Sequence, residues 1–137
     1  MNKQFSLLLL PLILMLTNAC QNKEYDKDII VNVKIAGSYH ALIQTKDSSG
    51  SYDVKLTLAM DSAAVMLIDY GIDDKPVVTK GKWHHEHEKI ILELDSMNGL
   101  PMPGKEMFLF ELINEDLVAL EFDTTKWDCE IFELKRN

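Results

Sequence analysis

Ser51-Tyr52-Asp53-Val54-Lys55-Leu56-Thr57-Leu58-Ala59-Met60-Asp61-Ser62-Ala63-Ala64-Val65-Met66-Leu67-Ile68-Asp69-Tyr70 is the stretch whose periodicity decides the fold. From Tyr52 the residues alternate: Val54, Leu56, Leu58 and Met60 share one face, and Asp53, Lys55, Thr57 and Ala59 share the other. A period of two is the signature of a half-buried strand, because successive side chains leave a pleated backbone on opposite sides. Asp61-Ser62 predicts a tight reversal, and Ala63 to Tyr70 the returning strand. There Ala64, Met66 and Ile68 oppose Ala63, Val65 and Leu67, so both faces are apolar and the expectation is a strand covered on both sides.

The same period recurs outward from this pair. Tyr39 to Thr45 reads as a strand, ended by the turn-forming run Lys46-Asp47-Ser48-Ser49-Gly50-Ser51. Gly71 to Pro76 is a loop, Val77 to Trp83 a strand, and His84 to His87 the start of a turn. Lys89 to Leu94 follows with Ile90, Leu92 and Leu94 facing inward. Ser96 to Lys105 holds two Gly, two Pro and an Asn, which predicts little regular structure. Glu106 to Leu112, Leu117 to Phe122 and Cys129 to Leu134 complete the set, with turns at Asn114-Glu115-Asp116 and Asp123-Thr124-Thr125-Lys126.

About eight short strands separated by turn signals predict an all-β, antiparallel domain. A small closed barrel is favoured, because closure removes the edges that a lone sheet exposes; a two-sheet β-sandwich is the alternative. The inward candidates Leu56, Leu58, Met66, Ile68, Ile90, Leu92, Phe108, Phe110 and Leu120 are bulky, so the interior should be mostly filled. Met60, Met66 and Met107 are read as core. Gly37 and Gly81 stand at strand starts or bends where a side chain would crowd the backbone, and Trp83 is read as a core residue or barrel-end plug whose indole N–H needs a partner.

The opening residues carry a different message. Met1-Asn2-Lys3-Gln4 is short and cationic, Phe5 to Leu16 is almost unbroken apolar sequence, and Thr17-Asn18-Ala19-Cys20 precedes an abrupt turn to polar residues. This is the order of an export signal over residues 1–19. The apolar run falls short of the roughly 20 residues a membrane span needs, and it contains Ser6 and Pro11. Thr17-Asn18-Ala19-Cys20 resembles the lipobox of bacterial lipoproteins in the looser form of Bacteroidetes, with Leu16 one position further from the cysteine than usual. The resemblance implies that Cys20 carries acyl chains, palmitate among them, and that the bilayer is a partner. Residues 20–30 are then a lipidated terminus and tether, and 31–137 a single β-barrel domain, the size of one hydrophobic core.

Composition excludes several functions. With 14 Lys and Arg against 22 Asp and Glu, the chain has a net charge of −8. No basic cluster offsets that charge, so nucleic acid is not an expected partner. Once Cys20 is acylated, Cys129 has no partner for an intramolecular disulfide and reads as a buried small hydrophobe in a strand. No Ser-His-Asp order, nucleophilic Cys beside a His, or phosphate-cradling Gly loop appears, so an enzyme is not expected.

Two segments carry metal-ligating side chains. His84, His85 and His87 lie beside Glu86 and Glu88; in an extended segment His85 and His87 would share a face. Met97 and Met102 put two thioethers in one loop. Imidazole with carboxylate suits zinc, and with thioether it suits copper. The competing reading is a polar hairpin tip and ordinary core filler, which leaves no required cofactor.

Gly37-Ser38-Tyr39, the Gly50 turn into Val54-Lys55-Leu56-Thr57-Leu58, and Gly81-Lys82-Trp83 ahead of Lys89-Ile90-Ile91-Leu92 form a pattern over roughly Ile35 to the C terminus. It resembles the N-terminal domain of the NlpE lipoproteins, the copper-homeostasis and envelope-stress family. The resemblance implies a lipocalin-like barrel anchored in the cell envelope, at the outer membrane of a Gram-negative bacterium, and a role in sensing the envelope state. That family's Cys-x-x-Cys would fall in Leu42 to Gly50, where this chain has Gln44, Thr45, Lys46 and Asp47 and no cysteine. The copper chemistry of that pair therefore does not carry over. The expected function is a non-catalytic envelope lipoprotein that contacts an envelope protein, with a copper or zinc module or a small apolar ligand binder as alternatives.

Overall fold

A computed structural model describes residues 25–71 and 75–137. The segment expected to be an export signal and Cys20 lie outside the described residues. The chain divides into two compact units, one ending at Val31 and the other running from Asn32 to Asn137.

Helix α1 (Tyr25–Ile35) begins within the segment expected to be the tether and ends two residues before Gly37. Its β-branched run Ile29-Ile30-Val31 and Val33 has modest helix propensity, so the sequence gives little warning of it. Lys34 in the last turn suits the negative end of the helix dipole. Ala36 N–H donates to Asn32 C=O at 2.8 Å, and Gly37, at φ 152°, turns the chain into the first strand.

The second unit is a closed antiparallel barrel of β1 (Gly37–Gln44), β2 (Ser51–Leu58), β3 (Ala63–Asp69), β4 (Val77–Glu86), β5 (Lys89–Met97), β6 (Leu100–Ile113), β7 (Asp116–Glu121) and β8 (Glu133–Arg136), each paired with its neighbours in sequence. The sandwich alternative is excluded. Tyr52, Val54, Leu56 and Leu58 are buried on alternate positions of β2, as the pattern predicted. Met60 lies beyond the end of β2 in the reversal and is 50% exposed, so it is not core. On β3, Ala64, Met66 and Ile68 are buried, but Leu67 opposite them is partly exposed. The expected two-sided cover is absent there because the outer face of a closed barrel meets solvent.

Two departures come from turn chemistry. Ser96 to Lys105 was expected to be irregular, yet β5 runs to Met97 and β6 starts at Leu100. Asn98 and Gly99 take φ 50° and 82°, the two positive angles of a tight two-residue hairpin, and Asn-Gly is the pair that adopts them most readily. His84 to His87 was expected to turn, but β4 continues to Glu86 and only His87, at φ 56°, is left-handed.

Two further departures come from bulges. The β6–β7 register shifts between Leu109↔Glu121 and Phe110↔Ala119, leaving Leu120 as the extra residue. It is 44% exposed instead of inward, since an inserted residue changes the phase of the alternation. Past it, Phe122 is half-buried, its ring centre 5.6 Å from that of Phe132. Met107, read as core, pairs with Glu93 on the outer face and is exposed. On β5 the extra residue is Asp95, skipped between Gly81↔Leu94 and Lys80↔Ser96. The backbones crowd there: a Cβ on Gly81 would lie 1.8 Å from the Glu93 carbonyl oxygen.

Cys129 is buried, although β8 starts only at Glu133 and the cysteine lies in the irregular approach to it. Trp83 is 1% exposed, faces inward from β4 and pairs with Leu92. Its indole N–H donates to Ala59 C=O at 2.8 Å, and its backbone N–H donates to Ser62 C=O at 2.9 Å. The side chain thus fills the core and pins the β2–β3 reversal.

Removing such a buried aromatic typically costs about 3–5 kcal/mol. W83A should therefore lower the melting temperature by at least about 10 °C in a circular-dichroism melt. G81A should lower it by about 5–15 °C although it removes no contact, because the added methyl must push two strands apart. A shift within about 2 °C for W83A would contradict its plugging role.

Candidate functional site

Strand direction sorts the candidate residues between two rims. One rim carries the β2–β3, β4–β5 and β6–β7 turns; the opposite rim carries the β1–β2 and β5–β6 turns and the segment after β7.

The histidines belong to the first rim. His84 points outward from β4 with Nε2 3.5 Å from Glu86 Oε1, and His85 is half-buried opposite Ile90. His87 sits in the left-handed turn, so it does not share a face with His85 as an extended segment would require. Met97 ends β5 at the other rim, and Met102 is half-buried on β6. The eight residue steps of β5 from Lys89 to Met97 span about 27 Å, which separates thioethers from imidazoles. Among the described residues no group of three or more His, Cys, Asp or Glu converges as a metal shell.

The barrel interior is packed with rings. Phe108 stacks on Phe110 at 5.4 Å and meets Phe132 at 5.3 Å, while Trp127 lies edge-on to Phe132 at 5.2 Å. Trp127 closes the second rim from inside. Its indole N–H donates to Glu106, and its carbonyl accepts from Tyr52 O–H. A cavity of about 160 Å³ remains beside it, lined by Ile68, Tyr70, Thr79, Met97 and Glu106. That is below the roughly 300 Å³ at which small-molecule sites begin.

Cys129 sits under the same rim, with its Sγ 4.0 Å from the Tyr52 hydroxyl oxygen, whose proton goes to the Trp127 carbonyl. Burial pushes its thiol pKa up, as it does the Tyr52 phenol. A thiol held protonated is a poor nucleophile, since the thiolate is the reactive form.

Among the described residues, three larger concavities are external. One of about 460 Å³ lies against His87, Glu88, Lys89, Ile91 and Leu109. A second, of about 410 Å³, shares Ile91 and Leu109 and continues over Met107, Glu121 and Phe122. Together they form an apolar strip across β5, β6 and β7. The third, about 510 Å³, runs between the end of β1 and the approach to β8, past Leu42, Gln44, Lys46, Cys129, Glu130 and Ile131. Sequence reasoning missed this groove, because Cys129 to Leu134 read as one continuous strand that would have filled it. The signal lay in Trp127-Asp128, where Asp128 takes φ 47° and breaks the strand approach.

At the mouth of that groove the β1–β2 turn is held by Asp47, whose carboxylate accepts from the Thr45 hydroxyl at 2.8 Å, the Ser49 hydroxyl at 2.6 Å and the Ser49 N–H at 3.0 Å. These donors, those of Ser49 first, pull its pKa down to about 2. No family model, curated protein or solved structure matches the chain.

Two outcomes follow. Cys129 should resist iodoacetamide at pH 7.5 in the folded chain and react fully in denaturant, read by mass spectrometry; fast alkylation of the folded chain would contradict its burial. A carboxylate with a lowered folded pKa stabilises the fold above its unfolded pKa, about 4, and loses that contribution as pH falls through the folded value. The Asp47 carboxyl resonance should therefore titrate near pH 2, with the Ser49 amide shift following it. A midpoint near 4 would remove the turn's triple hydrogen bond.

Proposed function

We propose that this chain is a non-catalytic, lipid-anchored lipoprotein of the bacterial cell envelope whose lipocalin-like barrel engages a protein partner through its outer surface. The observation that carries the reading is the contrast between the two sides of the barrel wall. Inside, Trp83, Phe108, Phe110, Phe132 and Trp127 occupy the volume that a ligand-carrying barrel leaves open. Outside, the grooves are several times larger than the interior remnant and carry exposed apolar side chains such as Met107, Leu42 and Ile131. Apolar strips with a polar rim are what protein partners bury.

The anchoring half rests on the leader and on Thr17-Asn18-Ala19-Cys20. One acyl chain holds a protein to a bilayer only marginally, and several hold it stably. The net charge of −8 repels an anionic membrane, so the lipid must supply the attachment. The NlpE-like pattern belongs to this reading as fold and envelope placement, and an envelope-sensing role is its functional extension. Copper chemistry is not part of it, since the cysteine pair is missing from Leu42 to Gly50.

Two measurements test the two halves. C20S should abolish radiolabelled palmitate incorporation and move the protein from the membrane to the soluble fraction; unchanged labelling would overturn the anchor. Titration with an environment-sensitive fatty acid such as cis-parinaric acid should give no saturable signal. Saturable one-to-one binding would replace the interaction reading with that of a ligand carrier.

A further inference from the structure

The closure of the barrel is incomplete along one strand edge. The β1–β8 ladder registers only Tyr39↔Arg136 and His40↔Lys135. The next rung, Ala41 with Leu134, is not formed, and contact resumes where Lys46 N–H donates to Asp128 C=O at 2.9 Å. Between these points β8 has turned toward β7, with Phe132 C=O accepting from Ala119 N–H at 2.9 Å.

Alternation along β1 shows which backbone groups this leaves. In an antiparallel pair every second residue directs both its N–H and its C=O to the same neighbour. Thr45 N–H donates to Gly50 C=O, toward β2, so the odd positions of β1 bond that strand. Even positions face β8: Ser38 C=O accepts from Asn137 N–H, and Lys46 N–H donates to Asp128. Leu42 and Gln44 are the even positions in the gap, and among the described residues neither has a registered partner on that side. Their N–H and C=O groups border the 510 Å³ groove. On the outer surface the groove is flanked by Leu42, 61% exposed, and Ile131, 73% exposed.

We infer that this seam is a binding site for a short extended peptide of a partner protein, which adds as a strand antiparallel to β1 through the backbone of Leu42 and Gln44. The inference rests on the reading of the chain as a protein-interaction module and names the surface and the kind of partner. Six residue steps from His40 to Lys46 give the seam a length of about 20 Å, enough for about four to six paired residues. Free N–H and C=O groups give such an edge its affinity, and neighbouring side chains give it preference. Leu42 and Ile131 offer apolar contact to alternate residues. Glu130 is exposed on the flank, and Glu133 is held by Lys135 at 2.7 Å. The lining sets two carboxylates, Glu130 and Glu133, against one ammonium, Lys46, and with the net charge of −8 this favours a peptide that pairs apolar residues with basic ones. A second acidic copy is disfavoured by the same charge, and in a two-fold β1–β1 pairing about Ile43 each Lys46 would face His40 of the other chain.

The test uses the ¹⁵N-labelled full chain in detergent micelles and a synthetic hexapeptide alternating valine and lysine. Titration should shift the Leu42 and Gln44 amides, with a dissociation constant of about 100 µM. Those two amides should exchange rapidly in the free chain and slowly in the complex. N-methylation of one alternate set of the peptide's amides should weaken binding at least tenfold, while methylation of the other set should not, because only one edge of an added strand faces β1. Q44P should weaken binding by a similar factor; proline on an edge removes only the N–H that faces the seam. E130K should weaken it several-fold.

No binding at about 1 mM peptide would overturn the proposal. So would equal affinity of both methylated peptides, or slow exchange of Leu42 and Gln44 in the free chain. A dimer by light scattering that Q44P dissociates would overturn it in favour of a second copy. If Q44P does not fold, the methylated peptides and the exchange rates still decide. Palmitate labelling of Cys20 is indifferent to the seam, so failure here and failure of the anchor are separable.

Discussion

Everything in this barrel depends on four residues at its end. β8 must join β7 on one side and β1 on the other, and Glu133–Arg136 is long enough for two registered rungs with each. So thin a closure needs support from side chains. Arg136 provides most of it: its guanidinium donates to the carbonyls of Lys34 and, at 2.7 Å, Ala36, and lies 5.6 Å from the Tyr39 ring centre. One cation thereby satisfies carbonyls at the end of α1 and covers the first inward residue of β1. Asp116 holds the same strand from the β7 side, accepting from Arg136 N–H at 3.0 Å and from Lys135 Nζ at 2.9 Å. The Lys135 bond is the main reason the Asp116 pKa lies below the usual carboxylate value.

With closure confined to one rim, the other rim is sealed by aromatic packing. Trp127 takes no part in any ladder, yet it is buried and hydrogen-bonded at both its indole and its carbonyl. Its contacts with Tyr52, Phe108 and Phe132 tie the segment between β7 and β8 to β2 and β6. The loop can therefore stand away from β1 without exposing the core. An open seam and a packed interior coexist because side chains, not backbone rungs, separate the core from solvent there.

How much of this the amino-acid order discloses varies with the kind of device. The alternation from Tyr52 to Ile68 reports the strands and their inward faces directly, because the pleat has a period of two. Trp83 was legible as a core residue in need of a hydrogen-bond acceptor, though not that Ala59 would provide it. Leu120 was misread because a bulge shifts the phase without altering composition. Met60 and Met107 were misread because an apolar side chain leaves no mark of whether its strand has ended or which face is wet. The Asn98-Gly99 hairpin was present as a known turn pair but obscured by Pro101 and Pro103, which the hairpin tolerates beyond its tip. The separation of His85 from His87 and the gap beside Leu42 depend on single left-handed residues, His87 and Asp128, where the side chain does not demand the conformation.

The pairing of β1 with β8 also sets an order of events. Tyr39 meets Arg136 across nearly the whole length of the barrel domain, so the last strand must exist before the first can be closed. A chain that emerges amino terminus first will form the local hairpins of β1 through β7 while β1 keeps a bare edge. Contacts of such long sequence separation form late and slow the final step of folding. During that interval the edge can pair with another nascent chain, a hazard familiar from slowly closing β-topologies. Until Glu133–Arg136 arrives, that edge lies bare along the whole of β1.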